Sequence, residues 1–170
     1  MAATSIAPIV VAPAAFKGAV SASAAAQAIA AGILLAAPGT ETRLVPVADG
    51  GEGTLDALVA ARNGRTEGFT VADPLGRPVV AQIGLIPGAT AVVELARASG
   101  YERLTDAERD AEVTSTFGTG QLIRAALDVA PRRIIVTVGG SATNDGGLGL
   151  VRALGGRFLA RDGAELDGRG

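Results

Sequence analysis

Two glycine-rich loops concentrate the residues able to do chemistry: Val47-Ala48-Asp49-Gly50-Gly51-Glu52-Gly53-Thr54, and Gly139-Gly140-Ser141-Ala142-Thr143-Asn144-Asp145-Gly146-Gly147. Each follows an apolar run that reads as a buried strand and precedes a stretch that reads as a helix. Gly-Gly pairs let the backbone turn sharply and bring its N–H groups close to a ligand. The helix start that follows adds unpaired N–H donors and a positive dipole end, which favours an anion such as phosphate. Carboxylates inside both loops would repel a bare phosphate. A bridging divalent cation, or a substrate hydroxyl needing a base, reconciles the two, and that combination points to phosphoryl transfer.

Individual residues carry alternative readings. Asp49 and Glu52 suit a base for an attacking hydroxyl and a cation holder; equally, Asp49 suits a cap for the next helix and Glu52 its first turn. Ser141, Thr143, Asn144 and Asp145 suit phosphate oxygens and a magnesium ion, or a polar turn that satisfies its own backbone. Lys17, the sole lysine, lies just past the first strand, on the side where open parallel sheets bind ligands. It reads as a point charge for phosphate or as a solvated surface residue. Thr116-Phe117-Gly118-Thr119-Gly120 is a third short turn able to hold an anion. Leu75-Gly76-Arg77-Pro78 reads as a plain turn. Neither the Walker A pattern nor G-x-G-x-x-G after a strand occurs.

The elements that position these loops alternate in the manner of an α/β protein. Ile6–Ala12 reads as a strand covered on both faces, followed by a helix over Ala22–Ala37 that Ser21 caps and Pro38-Gly39 ends. Arg43–Ala48 reads as a second strand, and a helix runs near Leu55–Arg62. Short strand-like pieces at Thr66–Ala72, Pro78–Leu85 and Thr90–Leu95, separated by Pro74-Leu75-Gly76 and Pro87-Gly88, predict an antiparallel or mixed patch. A helix near Gly120–Val129, a strand over Arg133–Val138 and a helix near Gly147–Leu154 resume the α/β rhythm, and Gly156–Gly170 reads as a strand, a turn and a Gly-rich stop. The expected fold is α/β: a flavodoxin- or Rossmann-like parallel lobe from residues 1–65 and 114–170, incomplete, with a smaller mixed-sheet lobe from residues 66–113.

Composition narrows the chemistry. The chain has 170 residues, 48% hydrophobic and 3% aromatic, with 24 Gly, so its core is aliphatic. A net charge of −2 without a basic run argues against a nucleic-acid partner. With no Cys and no His, disulfides, thiolate metal sites, Ser-His hydrolysis and His-ligated zinc drop out, and acid–base work falls to carboxylates or lysine. The absence of Cys fits a reducing cytoplasm. The first residues lack a charged n-region, and Pro8 and Pro13 interrupt them, unlike an export signal. The Ala-rich stretch is too short for a bilayer, which needs about 20 apolar residues.

Six stretches, APAAFKGAVSA (12–22), PVADGGEGT (46–54), DPLGRPV (73–79), VVELARASG (92–100), TSTFGTGQLIRAALD (114–128) and VGGSATNDGGLGLVRALGGRF (138–158), together resemble the bacterial glycerate kinase family of the glycerate 2-kinase type. They run in the family's order and cover nearly the whole chain. The resemblance implies ATP- and magnesium-dependent phosphorylation of D-glycerate, in a cleft between a flavodoxin-like lobe and a mixed-sheet lobe. It places Lys17, Asp49, Gly50, Gly51, Glu52, Gly140, Ser141, Thr143, Asn144, Asp145 and Gly146 at that cleft. Asp49 is then the base or orienting group for the glycerate hydroxyl, Lys17 neutralises the transferred phosphate, and Asp145 helps hold magnesium.

Two departures from the family pattern stand out. Ala14 and Ala15 replace the acidic and hydroxyl residues of the usual A-P-D-S-F-K-G stretch. Family members also run to more than twice this length, so the chain matches their N-terminal portion. The corresponding expectations are a homo-oligomer or a complementary C-terminal chain as partner. The alternative from another class is a catalytically inactive fragment or partner subunit that binds an anion or nucleotide.

Overall fold

In the computed structural model, residues 7–16 and 18–166 are described, and they form two compact units that divide between Asp49 and Gly50. The expected functional residue Lys17 lies outside the described residues.

The first unit pairs strand β1 (Ile9–Val11) in parallel with β2 (Thr42–Leu44), in the register Ile9 to Thr42 and Val11 to Leu44. Helix α1 (Ala22–Ala36) joins them. The hydroxyl of Ser21 accepts the Ala24 N–H at 3.2 Å, the cap expected from the sequence. At the other end the Ala37 N–H donates to the Ile33 carbonyl, and Gly39 carries the chain away at φ +87°. Ala25, Ala26 and Ala30 form the buried face of the helix. Strand β1 was expected to be covered on both faces, but only Val11 is buried, and Ile9 and Val10 are exposed in this two-stranded sheet. Strand β2 is shorter than the expected Arg43–Ala48.

The second unit is a four-stranded mixed sheet in the order β3 (Arg65–Ala72), β4 (Pro78–Ile86), β5 (Thr90–Glu94), β6 (Arg133–Thr137). Two hairpins make the antiparallel part. The first turns at Pro74–Arg77, where the Asp73 carboxylate accepts the Leu75 and Arg77 N–H groups, both at 2.9 Å. Arg77 returns an ion pair to Asp73 at 2.6 Å and reaches Glu108 at 2.5 Å. The Thr105 backbone N–H, and after it the Arg77 guanidinium, hold the Glu108 carboxyl down at about 2. The turn read as plain is thus a cross-linked corner.

β6 runs parallel to β5, from Thr90 beside Arg133 to Glu94 beside Thr137. A parallel pair needs a long crossover, and residues 95–132 supply it with α3 (Ala96–Ser99) and α4 (Phe117–Asp128). The division therefore departs from the expected one: β6 and α4, anticipated in a separate parallel lobe, build on the same sheet as the hairpins.

Period-two alternation gives β5 two buried faces. Ala91 and Val93 join Val71, Ala81, Ile83 and α4 residues Leu122 and Ala126 on one side. Val92 joins Leu55 of α2 (Thr54–Ala61), with Leu58, Val59 and Ile135, on the other. Leu55 and Leu122 are fully buried, each contributing about 1.5–3 kcal/mol of transfer free energy. By the same alternation Glu94 emerges on the α2 side. Helix α5 (Leu148–Ala153) follows the second glycine loop. No helix among the described residues is long and apolar enough to cross a membrane.

Candidate active site

The two glycine loops meet backbone to backbone. The Gly139 N–H donates to the Gly50 carbonyl at 2.9 Å, and a Cβ on Gly139 would lie 2.5 Å from the Gly51 nitrogen. The loop ends of β6 and of the stretch before α2 are therefore fixed against each other, in the second unit, by contacts that only a glycine backbone permits.

The first loop is held from inside. Thr54 Oγ1 accepts the Gly50 N–H at 3.1 Å and donates to the Gly51 carbonyl at 2.7 Å. Helix α2 begins after Gly53, at φ +82°, with no side-chain cap of the ordinary kind. Asp49, expected either as a cap or as a base, is exposed and stands five residues before the helix, outside capping position. What meets the start of α2 is Glu94: its Oε2 accepts the Leu55 N–H at 2.8 Å and its Oε1 the Gly53 N–H at 3.3 Å. Arg97 approaches Glu94 at 3.6 Å, pairs with Asp56 at 2.6 Å and donates to Gln82 at 3.0 Å.

Glu52 points elsewhere. Its carboxyl shares a hydrogen bond with Glu102, in the 3-10 turn Tyr101–Arg103, and this bond, with partial burial and the charges of Glu102 and Glu94, raises it to about 7 against the opposing pull of Arg97. Two carboxyls sharing one proton is the state that like charges at contact distance impose.

The second loop is fixed from several sides. Gly140 accepts the Tyr101 N–H at 2.9 Å through its carbonyl, Ala142 donates to Ser99 at 3.0 Å, and Thr114 Oγ1 donates to the Ala142 carbonyl at 2.9 Å. On its exposed side, Ser141 Oγ and Thr143 Oγ1 lie 2.7 Å apart, and Ser141 Oγ also accepts the Thr143 N–H at 3.1 Å. Asn144 and Gly146 are exposed.

Asp145, expected to help hold magnesium, is tied into the protein by several donors. It is 4% exposed, and its oxygens accept from Thr116 N–H at 2.8 Å, Thr116 Oγ1 at 2.8 Å, Gly147 N–H at 3.0 Å, Gly149 N–H at 3.1 Å and Ser115 Oγ at 3.4 Å. Burial pushes this carboxyl up, but the Thr116, Gly147 and Gly149 bonds outweigh it and hold it below its ordinary value. With its lone pairs committed to donors, Asp145 ties the second loop to the starts of α4 and α5. Among the described residues no group of three or more His, Cys, Asp or Glu is placed to hold a metal ion.

Glu94 and Arg97 were not singled out from the sequence, and Thr116 only as part of a turn able to hold an anion. The signal for Glu94 was present as a carboxylate closing the apolar run Thr90–Val93. For Thr116 it lay in the turn already noted as a third anion holder. A cavity of about 590 Å³ beside Asp73–Gly76 and the start of α4, lined also by Ser115, Gln121 and Arg152, includes no residue of the first loop.

Comparison with known proteins agrees with this architecture. The model of the glycerate kinase family matches residues 9–170. A glycerate kinase of Bacillus subtilis (strain 168) is 50% identical over 159 residues, 93% of this chain and 42% of its own length. A glycerate 2-kinase of Escherichia coli (strain K12) is 46% identical over the same shares. A crystal structure from Salmonella typhimurium LT2, named for glycerate kinase 2, superposes with a TM-score of 0.75 at 44% identity, over 94% of this chain and 43% of that one. The chain thus spans about two-fifths of the length of the curated relatives it matches. By sequence, motif order and fold, it belongs to the glycerate kinase family.

Proposed function

We propose that the chain provides part of a D-glycerate kinase, which transfers the terminal phosphoryl group of ATP to a glycerate hydroxyl. Family membership supports the reaction class, and relatives named as glycerate kinases support the substrate. The observation that carries the reading is the backbone junction of Gly50 and Gly51 with Gly139, which joins an acidic loop to one bearing the exposed Ser141 and Thr143 hydroxyls.

In this reading a glycerate oxygen attacks the γ-phosphorus, the new O–P bond forms as the bond to ADP breaks, and the hydroxyl proton leaves to a carboxylate. Asp49 is the candidate base or orienting group, and Lys17 the candidate cation beside the transferred phosphate. Gly50, Gly51, Glu52, Gly140, Ser141, Thr143, Asn144 and Gly146 are candidate substrate- or phosphate-binding positions. Magnesium enters with ATP, as part of the substrate.

The test is formation of phosphoglycerate from ATP and D-glycerate. It compares the 170-residue chain with the same chain extended at its C-terminus by the remaining length of the Bacillus subtilis relative. Turnover by the extended chain is expected, and its absence with a folded protein overturns the assignment. Asp49→Asn is expected to lower kcat by at least about 10²-fold; a near-normal rate removes Asp49 from the role of base.

A further inference from the structure

The N–H groups at the start of α2 already have an anion. Glu94 is 1% exposed, and its carboxylate accepts from Gly53 and Leu55, the donors that a glycine loop before a helix ordinarily turns toward phosphate. Carboxylates are almost never this deeply buried unless paired. Here the pairing is with backbone donors and with Arg97, whose other contacts, Asp56 and Gln82, fix the guanidinium in place. A phosphate at the same donors would meet a fixed negative charge and no vacant N–H. The second loop repeats the device, with Asp145 on Gly147, Gly149 and Thr116.

We propose that Glu94 is a positioning residue, the resident anion of the first glycine loop. It occupies the place that the loop pattern suggests for a nucleotide phosphate and holds Gly53 and the start of α2, so that the loop's outer side, with Glu52, serves the hydroxy acid. The nucleotide phosphates take their donors elsewhere. The assignment of the outer side to the hydroxy acid rests on the kinase reading; the occupation of the N–H groups does not.

Amide NMR of the 170-residue chain tests the occupation with inorganic phosphate as probe. In the unsubstituted chain the Gly53 and Leu55 resonances are expected to be unmoved by millimolar phosphate. In Glu94→Ser, which vacates the place, the same two amides are expected to shift saturably. Glu94→Gln keeps one acceptor oxygen and vacates the other, so at most one of the two amides is expected to shift. A saturable shift at Gly53 and Leu55 in the unsubstituted chain overturns the proposal, as does a folded Glu94→Ser that ignores phosphate. If Glu94→Ser does not fold, the unsubstituted chain decides: phosphate must leave both the Gly53 and Leu55 amides unmoved, and movement of either overturns the proposal.

In the extended, active chain, Glu94→Gln is expected to lower kcat at least about tenfold while the KM for ATP stays within about twofold. A rise in that KM equal to the loss in kcat/KM would place the nucleotide at this loop and overturn the positioning role. If the unsubstituted extended chain forms no phosphoglycerate, the kinase reading fails, and the phosphate titration still decides Glu94.

Discussion

Gly139 donates its N–H to the carbonyl of Gly50 at 2.9 Å, and this bond joins the two glycine loops. The two loops read from the sequence as anion cradles are joined here in one backbone assembly. Its donors at the helix starts are taken by Glu94 and Asp145. Of the carboxylates inside the loops, Asp145 shapes its own loop, while the first loop is held by Glu94, which lies outside it on β5.

Gly139→Ala tests the junction. The three atoms nearest the added Cβ are backbone, the nitrogen and Cα of Gly51 at 2.5 and 2.6 Å and the carbonyl carbon of Gly50 at 2.8 Å, so no side-chain rotation relieves these contacts. The expected cost is about 1–3 kcal/mol, the usual penalty of overpacking. Gly50→Ala is the contrasting case, with open space around the Cβ but a φ of +93°. Its cost is local strain of about 1–2 kcal/mol. Thermal unfolding measures both, and loss of Gly50–Gly139 amide protection is expected only for Gly139→Ala.

Asp145→Asn should show that this carboxylate is a staple. The Asn amide nitrogen cannot accept from Thr116, Gly147 or Gly149, so at least one buried donor is stranded, at about 1–3 kcal/mol each. The pH dependence has a defined sign. The folded value lies below the ordinary one, so the stabilisation is present above about 3.8 and is lost as pH falls through the folded value. Acid unfolding followed by circular dichroism is expected to begin at higher pH in Asp145→Asn than in the unsubstituted chain. Coincident acid transitions would show that Asp145 contributes nothing there.

Glu52 predicts the opposite slope. Its carboxyl is raised from 4.5 to about 7, so between those values the folded chain binds the proton that the unfolded chain has released. Stability from this group is fully present below pH 4.5 and is lost as pH rises through 7. Glu52→Gln keeps a donor for Glu102 and removes the titration. Its Tm is expected to match that of the unsubstituted chain near pH 5 and to exceed it at pH 8. An unchanged difference across that range would show that the shared proton does not govern stability.

Local features made much of this fold legible. Pro74-Leu75-Gly76 and Pro87-Gly88 mark the two hairpins, and β3, β4 and β5 begin and end within a residue or two of their expected limits. Ser21 and Pro38-Gly39 delimit α1 because caps are chemical signals written into adjacent residues. The place of β6 was not legible, since its parallel pairing to β5 spans a crossover and leaves no mark in either strand. Nor was the partner of each glycine loop. Glu94 lies some forty positions from Gly53, and Thr116 some thirty from Asp145; only the packed sheet brings them together. The polar residues inside the loops were visible, and those that hold the loops were not.

Thr137 carries the last prediction. It ends β6 opposite Glu94 in the parallel register, so both side chains leave the same face of the sheet, the one packed against α2. Its backbone carbonyl accepts the Leu95 N–H at 2.9 Å, but its Oγ1 is buried with no hydrogen-bond partner. Removing a buried hydroxyl that bonds to nothing relieves its desolvation cost, and valine retains both the shape and the strand preference. Thr137→Val is therefore expected to hold or raise stability by up to about 1 kcal/mol, which for a chain of this size is about 2–4 °C in Tm. If Thr137→Val instead lowers the Tm by that amount, the hydroxyl has a partner in solution, and proximity along β5–β6 would make the Glu94 carboxylate the first place to look for it.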